Sequence, residues 1–270
     1  MLFVYNWPSS IMGLFVVTLT LIVALGGYAF FRRVVRVRPA PEEQSMTIAM
    51  VSVITTINSL LIAFAAINVW GAYSDAAHNV DLEATTAGEL ARDLAAFGEP
   101  TAGQAVDALH AYLDGVVRFE WPKMQQEAAG DPQSEARFDT LFDKVNRIQP
   151  RDERQRALLG EVLKRVNELA KLRDQRLLTL DVAMPATLWA VMLIASAVSF
   201  LLLYTLPGTM FNVALIAAWA LTLGLAFFFV LAVDRPFAGR VSVGPEPLAR
   251  LVQALNAHAQ PTIGVDHDTR

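Results

Sequence analysis

Residues 182–233 read VAMPATLWAVMLIASAVSFLLLYTLPGTMFNVALIAAWALTLGLAFFFVLAV and contain no Asp, Glu, Lys or Arg. An α-helix of about 20 apolar residues crosses the roughly 30 Å hydrocarbon core of a bilayer. This stretch is therefore long enough for two crossings, and Leu206-Pro207-Gly208-Thr209 is a turn signal between them. It predicts a transmembrane hairpin with spans at about 185–204 and 211–233.

Two further uncharged stretches, Ile11–Phe31 and Ser45–Ser74, precede this hairpin. They predict spans at about 11–31 and 49–69. No Lys or Arg precedes the first span and no small-x-small site follows it, so we expect this span to remain uncleaved. The sequence predicts an all-α membrane protein with four transmembrane helices.

The charged residues are concentrated between spans two and three. Residues 75–181 hold 20 of the 26 acidic and 14 of the 22 basic residues. Apolar residues recur there at helical spacing, which predicts an amphipathic helical bundle inserted between the two hairpins. We expect four regions: a hairpin at 1–73, a helical extramembrane domain at 74–184, a second hairpin at 185–233, and an interfacial tail at 234–270 with a short helix and a disordered end.

The sequence lacks the motifs that are typical of several classes of function. The chain has no cysteine, so disulfides, thiolate catalysis and cysteine-bound metals are excluded. No phosphate-binding loop, nucleophile elbow or zinc-protease motif occurs, so we predict no enzyme and no cofactor. No dense Lys/Arg face occurs, so we predict no nucleic-acid partner. Asp75, His78 and Asp81 have helical spacing, but we expect a solvated helix face there and no metal.

Basic residues give two competing signals for orientation in the cell (inner) membrane. The cluster Arg32–Arg38 follows span one and, by the positive-inside rule, places that short loop in the cytoplasm. The basic residues between Arg165 and Arg176, before span three, favour the reverse orientation. We favour the short-loop signal, because long domains cross membranes with little regard to their charge. It places the helical domain outside.

The second span has one face of small and hydroxyl residues. Helix–helix packing in lipid uses such faces, and a face of this kind can also line a wet path. An apolar ring in an oligomer could gate that path by dewetting. The candidate pore-lining residues are Ser52, Thr55, Thr56, Ser59, with Asn58 beside them, and Leu61 and Phe64 as the apolar ring.

Two short motifs have both a functional and a structural interpretation. Glu120-Trp121-Pro122 is either a functional loop or a turn whose Trp lies in the headgroup layer, and we favour the turn. Asp234 and Arg235 follow the last span, where we expect them to pair with each other or with a neighbour at the interface.

A set of motifs extends along nearly the whole chain. It includes Glu83, Glu120-Trp121-Pro122, Arg176, Trp189 and, most specific, Asp234-Arg235-Pro236-Phe237. This set resembles the bacterial bestrophin-like family of unknown function. The resemblance implies four-pass membrane proteins with a helical domain between spans two and three, similar to the bestrophin anion channels, which are pentamers. True bestrophins keep this domain in the cytosol, against the orientation favoured above, and Gly71 stands here where the family has an acid.

Together these observations predict a homo-oligomeric, bestrophin-like ion channel. We expect it to pass small anions along a path lined by the second span, with the lipid bilayer and further copies of the chain as partners. The alternative is a non-conducting membrane scaffold or sensor whose helical domain binds a partner or responds to the bilayer.

Overall fold

The computed structural model describes residues 7–35, 40–98 and 100–259, and these residues form helices and turns with no strand. A π-helical turn, Val116–Glu120, joins α3 to α4, and a short 3-10 turn, Thr179–Asp181, follows α6. The predicted all-α fold with long apolar helices is confirmed. The helices are α1 Ser9–Val34, α2 Pro41–Phe97, α3 Pro100–Gly115, α4 Trp121–Glu127, α5 Pro132–Asn146, α6 Glu153–Leu178, α7 Ala186–Leu203, α8 Met210–Val233 and α9 Glu246–Ala259.

Four helical stretches are long and apolar enough to cross a membrane. They lie in Ser9–Val34, Pro41–Phe97, Glu153–Leu203 and Met210–Val233. The second of these runs on past its apolar part without a break and ends before Gly98, whose φ of 72° favours glycine.

The chain divides into two compact units. Met1–Ser74 and Val182–Ser242 form one, which we call the membrane unit, and Asp75–Asp181 with Val243–Arg270 form the other, the helical unit. The short helix α9 thus belongs to the helical unit. The predicted disordered end, Gln260–Arg270, lies outside the described residues.

In the membrane unit, α1 packs along α8 at very close range. A Cβ atom at Gly224 would lie only 3.0 Å from the Cα of Val17, so glycine allows the two backbones to approach. Small residues serve this purpose in lipid, where helices associate through packing rather than through exclusion of water. The residues buried around this contact include Met12, Ala24, Ile216, Ala220, Leu223 and Val230.

Side chains stabilise the turn between α7 and α8 by donating hydrogen bonds to its backbone carbonyl oxygens. The Tyr28 hydroxyl lies 3.1 Å from the carbonyl oxygen of Leu206 and 3.0 Å from that of Pro207. The amide nitrogen Nδ2 of Asn212 donates to Pro207 at 2.7 Å, and Thr209 caps α8. Carbonyls that would otherwise be unsatisfied near the bilayer thus have donors.

In the helical unit, α5 and α6 each begin after an aspartate at the N-cap position. Asp131 accepts a hydrogen bond from the Ser134 amide at 3.0 Å, and Asp152 accepts one from the Gln155 amide at 2.7 Å. Each cap satisfies an amide that the first helical turn leaves free. The apolar faces then meet in a core that includes Leu109, Leu113, Leu141, Val162, Val166 and Leu169.

Candidate functional site

The second span, in α2, is packed on one side and uncovered on the other. Asn58, Ala65 and Val69 are buried within the membrane unit. On the opposite side most residues are exposed, and no part of the chain that the structure describes covers them. The exposed residues include Ser52, Val53, Thr56, Ile57, Ser59, Leu60, Ala63, Phe64, Ile67 and Asn68.

This uncovered face has a hydroxyl strip beside an apolar strip, because successive helical residues are rotated by about 100°. Ser52, Thr56 and Ser59 with Ala63 form the hydroxyl strip, and Thr55 lies at its half-buried edge. The apolar strip consists of Val53, Ile57, Leu60, Phe64 and Ile67.

The other candidate pore residues, Asn58, Leu61 and Phe64, differ in how far they are buried. Asn58 lies on the packed side, where its Nδ2 donates to the hydroxyl of Ser196 on α7 at 2.9 Å. Leu61 is half-buried and packs against the apolar core of the membrane unit. Phe64 is 54% exposed. Of the two residues predicted to form an apolar ring, only Phe64 is thus largely uncovered.

The hydroxyl groups on this face differ in what they offer to a ligand. Ser52 donates to the carbonyl oxygen of Ile48 at 2.9 Å, and Thr56 donates to that of Ser52 at 2.8 Å. Their protons are thus used within the helix. Within the described part of the chain, the hydroxyls of Thr55 and Ser59 make no hydrogen bond. These two groups have a proton to donate to an anion.

A second constellation, in the helical unit, consists of buried charged residues. Glu83 on α2 receives two hydrogen bonds from Arg176 on α6, from Nε at 2.7 Å and from Nη2 at 3.2 Å. The same Nη2 donates to Glu120 at 3.1 Å, and the Tyr112 hydroxyl donates to Glu83 at 3.1 Å. Glu83, Glu120 and Arg176 are almost completely buried.

A second arginine balances the charge of this group. Arg173 Nη2 lies 3.9 Å from Glu120 Oε1, so two carboxylates face two guanidinium groups. The backbone amide of Asp131 also donates to Glu120, at 3.4 Å. We call Glu83, Glu120, Arg173 and Arg176 the buried charge cluster. Burial of these charges is tolerated because Glu83, Glu120 and Arg176 are hydrogen-bonded to one another and Arg173 lies within ion-pair distance of Glu120.

Burial and charge shift two pKa values in this region. Burial alone would lower the pKa of the Arg176 guanidinium, but the neighbouring Glu83, Tyr112 and Glu120 raise it above its ordinary value. Burial, together with the negative charge of Glu83, raises the pKa of the Tyr112 hydroxyl. Arg176 therefore stays charged and Tyr112 stays protonated, which keeps the hydrogen bonds described above in place.

The prediction that Glu120-Trp121-Pro122 is a turn with Trp in the headgroup layer is wrong. Glu120 ends the π-helical turn and Trp121 begins α4 without a break in the helical backbone, with Pro122 at the second position of α4. Trp121 is 1% exposed, and its Nε1 donates to the carbonyl oxygen of Val243 at 3.3 Å. The guanidinium of Arg176 lies over its ring at 5.4 Å.

The Asp-Arg-Pro-Phe segment forms the turn after α8. Asp234 is buried, and its Oδ1 accepts a hydrogen bond from the backbone amide of Met184, just before α7, at 2.7 Å. Phe237 is also buried, and Gly239 has a φ of 81°. The hydrogen bond between Asp234 and Met184 therefore links the end of α8 to the start of α7. Trp189 of the recognised motifs is half-buried on α7, with its ring 6.1 Å from that of Phe227.

The helical unit also contains a cavity of about 740 Å³ between α2, α3 and α9. Its wall is mostly alanine, glycine, valine and leucine, and its polar members are Thr85, Arg92, Asp107, His110 and Asn256. The buried Nε2 atom of His110 has no hydrogen-bond partner. Among the residues that the structure describes, no three His, Asp or Glu side chains form a metal site, and Asp75, His78 and Asp81 are exposed.

Comparison with known proteins agrees with this architecture. A crystal structure of a membrane protein variant is similar, with a TM-score of 0.65 and 12% identity over 92% of this chain and 99% of that one. Two variants of a bacterial bestrophin homologue from Klebsiella pneumoniae are also similar, at 12% identity. Their TM-scores are 0.63, over 93% of this chain and 99% of that one, and 0.60, over 92% and 96%.

These likenesses are too distant in sequence to show more than a shared fold. No curated protein matches the sequence. A family model described as a bestrophin-like domain, however, matches residues 18–248 and thus most of the chain. The protein therefore belongs to the bestrophin-like family.

Proposed function

We propose that this protein is a homo-oligomeric channel of the cell inner membrane that passes small anions along a path lined by the second span. The observation that carries the proposal is the uncovered face of α2, where a hydroxyl strip runs beside an apolar strip. Membership of the bestrophin-like family supports it, because the bestrophins that the family resembles are pentameric anion channels.

The packing of α2 is compatible with a place at the centre of a ring of subunits. Its buried side, at Asn58 and Ala65, is taken up by other helices of the same membrane unit. Its uncovered side is free to face the axis of a closed assembly, whose copies would each present the same strips. Asn58 lies outside the path in this arrangement.

Hydroxyl groups suit a path for anions better than one for protons. Residues 45–74 contain no ionisable Asp, Glu, Lys or Arg, whereas proton pathways usually use such residues. Thr55 and Ser59 have donor protons that would replace part of the water shell around an anion. Phe64, beside them on the uncovered face, would narrow the path and hinder its hydration.

The test is chloride efflux from proteoliposomes with matched protein content and oligomer size. We expect flux above that of empty vesicles, an increase with Phe64→Ala, a smaller increase with Leu61→Ala because Leu61 is half-buried, and a decrease with Thr55→Val. Thr56→Val is the matched control, because its hydroxyl donates within the helix and its loss should change flux less. If the wild type and all variants show only the leak of empty vesicles, the channel proposal is wrong.

The cavity in the helical unit favours one alternative, a non-conducting sensor. An apolar cavity of about 740 Å³ with a buried, unpartnered His110 Nε2 has the size and composition of a small-molecule site. The number of subunits in detergent separates the two functions. A closed ring of four or more subunits favours the channel, and a monomer or dimer favours the sensor.

A further inference from the structure

An apolar groove runs along the outside of the membrane unit between α1, α7 and α8. It has a volume of about 390 Å³, and its walls include Leu19, Val23, Trp189, Leu193 and Phe200. Leu19, Val23 and Leu193 are about half exposed. The groove therefore presents hydrocarbon to whatever surrounds the helices.

The two hydroxyl groups of the groove already donate within their own helices. Thr20 donates to the carbonyl oxygen of Val16 at 2.8 Å, and Ser196 donates to that of Met192 at 2.7 Å. Water in the groove would find few partners, so an apolar chain is the better occupant.

Arg32 lies on α1 beyond one end of this groove and is held in a fixed position. Its Nη1 donates to the Tyr28 hydroxyl at 3.2 Å and to the Leu206 carbonyl oxygen at 3.4 Å, and its guanidinium lies 5.7 Å from the Tyr28 ring centre. A Cβ at Gly208 would lie 2.5 Å from the guanidinium carbon, so this glycine leaves room for it. Within the described residues, Nε and Nη2 of Arg32 have no acceptor.

The distance between Arg32 and the groove matches the depth of one lipid leaflet. Thirteen residues separate Arg32 from Leu19 along α1, which is roughly 20 Å of helix. Half the thickness of a bilayer with its headgroups is about 20–22 Å. A phosphate at Arg32 would therefore place its acyl chain at the depth of the groove. Between Arg32 and the groove lie the rings of Tyr28, Phe31 and Tyr204, which pack near Phe200 at the groove wall, as is usual near a membrane interface.

We propose that the membrane unit binds one anionic phospholipid, with its phosphate on the free nitrogens of Arg32 and one acyl chain in the groove. Charge complementarity selects the anionic lipid, because Arg32 and its neighbour Arg33 are basic and the described part of the membrane unit places no ion-pair partner on Arg32. This site is separate from the uncovered face of α2, and its occupancy is independent of whether the protein conducts ions.

The test uses Trp189 as a reporter inside the groove. Trp7, Trp70 and Trp219 are changed to Phe, which leaves Trp189 and the buried Trp121 of the helical unit. The protein is placed in phosphatidylcholine vesicles with increasing fractions of brominated-chain phosphatidylglycerol or brominated-chain phosphatidylcholine. We expect phosphatidylglycerol to quench Trp189 at about a fivefold lower mole fraction, the factor for one basic residue near an anionic lipid.

Two charge variants separate a specific site from general attraction. Arg32→Gln should remove the preference for phosphatidylglycerol, whereas Arg33→Gln, which removes the same charge one position along the helix, should retain most of it. Equal losses in both variants would contradict a specific site and indicate diffuse attraction. Equal quenching by the two lipids in the protein with Arg32 intact would also overturn the proposal.

A third variant covers the possibility that Arg32→Gln fails to fold. Ala197 lies exposed in the groove, and Ala197→Phe should fill it without changing any charge. We expect this variant to lower the quenching of Trp189 by both lipids and to lower the preference for phosphatidylglycerol. If neither lipid quenches Trp189 in the protein that retains Ala197, the groove is covered by another copy of the chain and the lipid proposal is wrong.

Discussion

The two units of this protein bury polar side chains in different ways. In the membrane unit, the Asn58–Ser196 contact is between neutral groups, and the Ser196 hydroxyl donates back to its own helix. In the helical unit, the buried polar groups include the four residues of the buried charge cluster, where Arg176 is hydrogen-bonded to both Glu83 and Glu120. The helical unit therefore depends on its ion pairs being complete, whereas the membrane unit depends on close backbone packing.

The largest effect should come from removing one member of the buried charge cluster. Arg176→Met leaves Glu83 and Glu120 buried without their closest positive charge. Breaking a buried pair in this way costs about 3–5 kcal/mol of folding free energy. We expect little or no folded oligomer, measured by size-exclusion chromatography in detergent and by thermal unfolding.

Arg165→Met is the matched control for this change. Arg165 also pairs with a glutamate of α2, Glu89, at 2.7 Å, but both side chains are partly exposed to solvent. An ion pair of this kind contributes about 1 kcal/mol or less. Equal stability of the two variants would contradict the role assigned to the buried cluster.

A smaller effect should follow from separating α1 and α8 in the membrane unit. Gly224→Val places a branched side chain against the backbone of Val17, where even a Cβ would lie at 3.0 Å. Overpacking of this kind costs about 1–3 kcal/mol. We expect a lower unfolding temperature in detergent. Gly26→Val, on the same helix pair but with no atom within 4 Å of its Cβ position, should change that temperature much less.

The smallest effect should come from replacing the neutral pair of the membrane unit. Asn58→Leu removes the hydrogen bond to Ser196 but also removes the buried Oδ1, which has no partner. Losing the hydrogen bond costs about 1 kcal/mol of folding free energy, and removing the unpartnered oxygen returns about as much. The unfolding temperature should therefore hardly change. A loss as large as that of Arg176→Met would show that both units depend equally on buried polar contacts.

Much of the fold could be predicted from the sequence, because apolar length and helical spacing are strong local signals. The spans follow from the uncharged stretches, and the continuation of the second span to Phe97 follows from its periodicity. The aspartates Asp131 and Asp152 mark two helix starts, because a side chain that accepts a hydrogen bond from the first helical turn is also a local signal.

The buried charge cluster was missed, because it depends on contacts between residues far apart in the chain. A signal was nevertheless present: Glu83 and Arg176 each occupy an apolar position of their helix, with Val80 and Ala87 beside the first and Leu169 and Leu172 beside the second. A charged residue in such a position needs a buried partner. The inward direction of Glu120 could not be foreseen, because it depends on a π-helical turn that no sequence pattern marks here.

The most direct test of the channel proposal is the accessibility of the two strips on α2 during ion flux. The chain has no cysteine, so a single one can be placed at Ser59, on the hydroxyl strip, or at Ile57, on the apolar strip. An impermeant, thiol-reactive reagent is then added to proteoliposomes during chloride efflux. We predict that it blocks efflux through Ser59→Cys, slows efflux through Ile57→Cys much less because the apolar strip lies at the edge of the path, and leaves the cysteine-free protein unchanged. Block of Ile57→Cys alone, or of neither variant, would contradict a path lined by the hydroxyl strip.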